Sequence, residues 1–431
     1  MKPIASKKET KVLSLRHLYF LSVGGQGPFI SLISFGTEMI ILAGVHAVVS
    51  MIIATVIVLI NGFIINFLAR RFTRGGGYYI YGLYGLTERL GFETGWMYIF
   101  YGLSYGGALI LGGAYTFKLI TGFNDFISLL IILAISSVVF LSGVKISAKY
   151  AEVFAGSEIA VLILLSIYIF YLSGFKIYNP FSLKDFNLQN VWLGALYGLG
   201  IPTGYGVIAP LAEESKKAKR DIGLAAILAI LTGGLIASFF FYALATISFT
   251  GNLAQFLVSK FGIIADILIG LVAMSDGILG GITFLLAVSR VIYNVSKDGF
   301  ISHVFSKIWK NRPIISEVSA SVGMFLLLVP LTYWMGVAFA LGTIGALAGI
   351  FNLFVHESAN FSLLRISLVK RSLKRVIETI VSFLGILISG YLLIVSLIGV
   401  SKYVILAFFG WMILGFFYLE TLDIIRKTSK E

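Results

Sequence analysis

The chain has 431 residues, of which 58% are hydrophobic and only 12% charged, with mean hydropathy +0.97 and a formal net charge of +13. Soluble domains carry roughly a quarter of their residues as charges, so an ordinary soluble domain is excluded, and repeated apolar runs of about 20 residues suit crossings of ~30 Å of hydrocarbon. The absence of cysteine excludes disulfides, thiolate metal sites and cysteine nucleophiles.

Met1 to Lys11 is polar and basic and leads straight into a long apolar run. It lacks the short apolar core and small-residue cleavage site of a removable signal, so the first span is expected to stay in place. Twelve spans are predicted: 18–43, 46–69, 92–120, 125–143, 149–173, 191–212, 221–248, 273–297, 317–335, 338–357, 376–398 and 402–424. A short extra helix is expected over Leu253 to Leu271. The divisions are then a tail 1–17, a five-span block 18–173, an outer loop 174–190, a second five-span block 191–357, an inner loop 358–375, two further spans 376–424 and a tail 425–431.

The basic residues orient this map. With both termini cytoplasmic, the inner segments carry Lys2, Lys7, Lys8, Lys11 and Arg16, then Arg70, Arg71 and Arg74, and further clusters at 216–220, 297–312 and 365–375. The outer segments carry only Lys118, Lys176, Lys184, Lys260 and Lys402 of the 33 Lys and Arg. The positive-inside rule therefore predicts a multi-pass protein of the cell (plasma) membrane, with both termini cytoplasmic. The surplus of positive charge is accounted for by orientation, and no nucleic-acid partner is expected.

Two spans are interrupted. Span one carries Gly24-Gly25-Gln26-Gly27-Pro28, and span six carries Gly198, Gly200, Pro202, Gly204 and Gly206. A backbone N–H or C=O left without a partner in hydrocarbon costs several kcal/mol, so a break survives only where protein, water or a solute satisfies it. The half-helix that starts at a break offers N–H donors suited to a carboxylate, and the half that ends there offers carbonyls suited to an ammonium group. A zwitterionic amino acid fits such a pair. Glycine and proline also occur in membrane helices for packing and kinks alone. Matched interruptions in two halves of one chain weigh against that reading and imply a solute carrier.

Span five carries Glu158, nine residues beyond Lys149 and so about 13 Å along the helix, between Gly156-Ser157 and an apolar run. A carboxyl group at membrane depth marks an ion or proton pathway. Glu158 is expected to bind and release a coupling proton near the span-one break, with Ser289. A sodium ligand set of Glu158, Ser289 and span-one carbonyls, or a purely structural hydrogen bond, are the alternatives. Asp276 is expected to cap the outer start of span eight, and Glu38 to face solvent. His17, His46, His303 and His356 show no metal-ligand spacing, and residues 213–220 read as a solvated inner loop. Gly75 to Gly77 lack the lysine of a phosphate loop. Gly102, Gly106, Gly107, Gly112 and Gly113 suit close packing of span three. No convergent acid, base or metal groups point to an enzyme, and no cofactor or metal is expected.

These residues taken together resemble the amino acid–polyamine–organocation superfamily of secondary transporters. Its span-one G-x-G-x-F break is matched by Gly25-Gln26-Gly27-Pro28-Phe29, and its glycine–aromatic run after span two by Gly75 to Tyr79 through Gly95-Trp96. Its A-E-E-x-K-x-x-x-R-D-I ending of span six is matched by Ala212 to Ile222, and its S-R-V-x-Y ending of span eight by Ser289 to Tyr293, followed by Asp298-Gly299. The resemblance implies an all-α fold of twelve transmembrane helices, with spans 1–5 and 6–10 as inverted repeats, helices one and six discontinuous, and two helices added at the C-terminus. It implies that N–H groups around Gly25, Gln26, Gly27 and Pro28 bind the substrate carboxylate. Carbonyls around Ile201, Pro202, Thr203 and Gly204 would take the amine, with Tyr205 either a lid or a packed aromatic. Glu158 aligns where proton-coupled relatives often carry a lysine. Where the family often reads G-F-E, this chain reads Gly204-Tyr205-Gly206, and the missing acid favours neutral or small amino acids over cationic ones. The expected activity is amino acid import by proton symport through alternating access. An exchanger, a sodium symporter or a non-transporting sensor of the same fold stand as alternatives. The expected partners are an amino acid and the lipid bilayer; no protein partner is indicated.

Overall fold

The computed structural model describes residues 11–184, 186–369 and 373–428. Lys2, Lys7, Lys8, Lys370, Arg371 and Lys430 lie outside the described residues. In order, the helices are α1 (Leu15–Gln26), α2 (Pro28–Ala43), α3 (Ala47–Ala69), α4 (Tyr78–Gly85), α5 (Glu88–Thr121), α6 (Asp125–Leu141) and α7 (Val144–Leu172). They continue as α8 (Leu188–Gly198), α9 (Ala218–Thr246), α10 (Leu253–Lys297), α11 (Ile314–Leu368), α12 (Leu373–Gly399) and α13 (Lys402–Thr428). A 3-10 segment, Tyr205–Glu214, lies between α8 and α9. No strand occurs among the described residues, only two isolated bridges, Leu13 with Ser215 and Trp309 with Arg312.

Helix starts follow local chemistry. Ser14 and His17 form a reciprocal cap at α1, and the side chains of Thr87, Asn124, Asn187 and Asn252 accept from the third residue beyond them. Each satisfies an N–H that the helix leaves over. Apolar side chains then fill the helices for long stretches, and among the described residues eight helical runs are long and apolar enough to cross a membrane. The protein is a multi-pass membrane protein by that architecture.

Four features depart from the sequence expectation. Expected spans nine and ten form one helical run, α11, turned only at Gly336 with φ 75°, and the tenth runs on to Leu368, so the expected inner loop is shorter. The short helix expected over Leu253 to Leu271 is itself turned at Gly262, φ 66°, and its second part runs on into span eight. One glycine in the left-handed region turns the helix without a loop. A short helix, α4, fills what read as a glycine-rich connection. Span one breaks at a single residue, Gly27, whereas span six loses regular helix from Leu199 to Gly204.

At the centre, α5 packs along α10 and α11. Gly102 and Gly106 lie under Val288 and Phe284, and Gly113 meets the backbone of Gly277, so the span-three glycines serve close approach. At the other end of α5, Trp96 stacks on Trp411 of α13 with centroids 4.4 Å apart and planes 11° from parallel. Each indole N–H donates to the other residue's carbonyl, at 2.8 Å and 3.1 Å. Trp411→Ala removes the stack and the bond that its indole N–H makes to the Trp96 carbonyl. The expected cost is about 3 kcal/mol, read as a lower melting temperature of the purified protein; an unchanged melting temperature would contradict it.

Candidate functional site

The two interruptions meet backbone to backbone. A Cβ placed on Gly25 would stand 2.6 Å from the Gly204 carbonyl oxygen, and one placed on Gly204 would overlap the Gly25 carbonyl. Gly204 also holds φ 100°, which side-chain-bearing residues avoid. Glycine is required on both sides of this contact.

Around it the polar groups are largely engaged. Gln26, fully buried, donates from Nε2 to the Pro202 carbonyl at 3.1 Å, while its Oε1 has no partner. Tyr105 Oη donates to the Thr203 carbonyl at 3.3 Å, and Ser22 Oγ to the Tyr205 carbonyl at 2.8 Å. Gly25 and Gln26 close the last turn of α1, and the Gly27 N–H reaches Gly24 only at 3.4 Å. Pro28 is the first residue of α2, where its missing N–H costs nothing. Ile201 is buried, and the Thr203 hydroxyl donates to Leu199 at 2.6 Å. Tyr205 is 1% exposed, its ring 5.8 Å from that of His356 and its Oη unpartnered.

The next free donor of α2, the Ile30 N–H, points at Asp276 Oδ2 at 2.8 Å. The anion position at this half-helix start is thus filled by the chain's own carboxyl group, a placement favoured by the helix dipole. Asp276 is fully buried inside α10 and is not the outer cap expected from its neighbours Ser275 and Gly277. Glu158 of α7, also fully buried, lies beside it: Ser275 Oγ donates to Glu158 Oε1 at 3.1 Å, and the two carboxyl groups are within hydrogen-bond reach of each other. Ser289 does not join them. It sits about 20 Å of helix further along α10 than Asp276, with its hydroxyl on Leu286 and against Arg290. The sequence signal for Asp276 was its separation from the next basic side chain along an apolar span; the adjacent glycine made it resemble a helix start.

On the α2 side of the breaks lies a cavity of about 610 Å³, bounded by α2, α3, α5, α8, α11 and α12. Ser31, Tyr105, Thr203, Tyr205, Asn352 and His356 supply polar atoms to a mostly apolar wall. His356 therefore lines the site, and its Nε2 lies 3.4 Å from Tyr78 Oη.

The opposite side of the breaks is closed. Arg290, buried on α10, bonds Glu214 through Nε at 3.0 Å and Glu317 through Nη1 at 2.9 Å, and Arg312 adds a bond to Glu317 at 2.6 Å. Leu13 bonds the 3-10 segment through Glu214, and Lys216 bonds back to Leu13 at 2.9 Å. Glu214 is thus 4% exposed and not part of the solvated loop expected at 213–220. Outside the membrane region on this face, Tyr79 Oη donates to Asp298 at 2.6 Å; burial first, and that bond second, raise its pKa above the usual tyrosine value.

The sequence profile of the family described as amino acid permease matches residues 13–419. No curated protein matches the chain. Among solved structures, the chain is similar to a histidine-to-alanine mutant of the Eremococcus coleocola manganese transporter, at 13% identity and TM-score 0.57, covering 94% of each chain. A glutamate-to-alanine mutant of that transporter gives the same figures, 13%, 0.57 and 94% of each chain. The same transporter in complex with an aromatic bis-isothiourea substituted compound aligns at 12% identity and TM-score 0.54, again over 94% of each chain. At such identity the likeness establishes the fold.

The closed side is directly testable because the chain has no cysteine. A cysteine at Ser215, 1% exposed, is expected to resist maleimide labelling. Arg290→Ala leaves the buried Glu214 carboxylate without its cation, while Glu317 keeps Arg312, a cost of about 3–5 kcal/mol. Labelling at position 215 should then rise by at least about tenfold. Equal labelling with and without Arg290 would show that this cluster does not hold the face shut.

Proposed function

The chain belongs to the amino acid permease family, and from that premise we propose that it carries an amino acid inward across the plasma membrane by proton-coupled alternating access. The observation that carries the reading is the contact of Gly25 with Gly204 beside a cavity. It brings two broken spans together where a small zwitterion meets main-chain dipoles instead of buried charged side chains.

In this reading the face bearing Leu13 is cytoplasmic, in accord with Arg70, Arg71, Arg74, Lys216 and Lys217 along it. The conformation is then closed inside by Arg290 and its partners and offers its cavity toward the outside. The substrate ammonium takes over the Pro202 and Thr203 carbonyls, which Gln26 and Tyr105 now occupy. That exchange frees the Gln26 amide and the Tyr105 hydroxyl to donate to the substrate carboxylate, together with the weakly held Gly27 N–H. The bound molecule thus replaces contacts between α1, α5 and the span-six break, which is what a switch of state requires.

Glu158 and Asp276 supply the coupling. Two carboxyl groups in contact away from water share one proton, because two adjacent negative charges there are too costly. Asp276 meanwhile holds the start of α2 through Ile30. Loss of the proton sets α7 and α10 against each other and loosens that hold. Sodium is the second reading, favoured by the unpartnered oxygens Glu158 Oε2 and Asp276 Oδ1, since hard cations prefer oxygen ligands.

The protein in liposomes is expected to accumulate an amino acid when the outside is made acidic, without sodium. Glu158→Gln and Asp276→Asn should each reduce that accumulation at least about a hundredfold, while Glu158→Gln still exchanges labelled for unlabelled substrate. Accumulation that ignores the pH gradient but follows a sodium gradient would replace the proton by sodium. Accumulation unchanged in both variants would remove the pair from the mechanism.

A further inference from the structure

The cavity beside the breaks also bears on which amino acids fit, an inference that rests on the carrier reading above. We propose that it receives a bulky, uncharged side chain bearing an N–H or O–H donor, as in tryptophan and tyrosine.

Size comes first. At ~30 Å³ per water, 610 Å³ corresponds to about twenty water molecules, far more than the side chain of alanine or serine displaces. A small substrate would leave the apolar wall wet. Among the lining residues there is no Asp, Glu, Lys or Arg, so a charged side chain would enter without a counter-charge, at high cost.

One wall of the cavity is a glycine face. Gly342, Gly345 and Gly349 follow at intervals of three and four, hence on one side of α11. Glycines in membrane helices commonly let a neighbouring helix approach, and those of α5 do so here. These three do not: a Cβ placed on any of them meets no atom within 4 Å. They keep space open instead of closing it.

Polar atoms without partners define the chemistry. Tyr205 Oη, Asn61 Oδ1 and Asn352 Oδ1 line the cavity, are buried and have no hydrogen bond, and Tyr205 as a whole is 1% exposed. An unsatisfied buried acceptor costs about 1–3 kcal/mol. An indole N–H or a phenol O–H removes that cost, and the benzyl side chain of phenylalanine does not. Tyr105 and Phe35 offer ring faces on the same wall, suited to an aromatic occupant.

The test is displacement of radiolabelled tryptophan from the purified full-length protein by tyrosine, phenylalanine, alanine and arginine. Tryptophan and tyrosine are expected to displace at concentrations at least about tenfold below those of alanine and arginine, with phenylalanine between. Gly349→Leu, which fills open space, should lower the tryptophan-to-alanine affinity ratio at least about tenfold. If that variant is not monodisperse, Gly345→Val is read for the same ratio. Asn352→Leu should lower the tryptophan-to-phenylalanine ratio by about tenfold. Alanine or arginine binding as tightly as tryptophan, or a ratio unmoved by the glycine substitutions, would overturn the proposal. If amino acids bind with the expected ranking but are not moved across liposomes, the carrier reading alone falls. If none binds, both fall.

Discussion

The architecture depends on one constraint, the approach of two polypeptide backbones inside a membrane protein with no side chain between them. Gly25 and Gly204 lie so close that a methyl group on either would overlap or crowd the other's carbonyl oxygen. Helices kept apart by ordinary side chains have axes about 8–10 Å apart, and at that separation neither break could satisfy the other. The contact explains why Gln26 reaches Pro202 and Ser22 reaches Tyr205. It also explains why the cavity begins at that point, since α2 and α8 lead away from the breaks on the same side.

Two polar clusters flank this contact, with opposite consequences. Arg290 with Glu214, Glu317 and Arg312 joins α10, the 3-10 segment and the start of α11 on the Leu13 side. Its charges are opposite and paired, so it is a lock that costs energy to separate. Glu158 and Asp276 are both acids, and in the proposed reading their proximity depends on a proton or cation supplied from elsewhere. The 3-10 segment Tyr205–Glu214 links the regions, because it starts at the Gly204 contact and ends at the Arg290 lock. A 3-10 run of ten residues is long for a form seldom longer than about three or four, and such runs mark hinges. Movement at the break is thereby coupled to the lock through a single element.

Much of the arrangement was legible in the chain. Hydrophobic length located the helices, and glycine and proline located both breaks, because a helix in hydrocarbon tolerates them only for a reason. Glu158 stood out as an acid far from any charged neighbour along its span. Asp276 did not, because Ser275 and Gly277 make it look like a helix start, and only tertiary packing shows that its helix runs through. Glu214 and Arg290 read as loop and span-end charges, since their pairing joins residues 76 positions apart. Gly336 read as a loop residue and Gly262 as part of a short helix, because a turn at one left-handed glycine has no signature beyond the glycine itself. The Trp96–Trp411 pair was illegible for the same reason as the Arg290 lock: it joins positions 315 apart.

The most direct measurement is an experimental structure of the protein with a transported amino acid bound in lipid. The ammonium group is expected on the carbonyls of Pro202 and Thr203, the carboxylate by Gly27 and Gln26, and the side chain toward Gly345 and Asn352. An amino acid seated away from both breaks, or spans one and six running as unbroken helices without the Gly25–Gly204 approach, would contradict it.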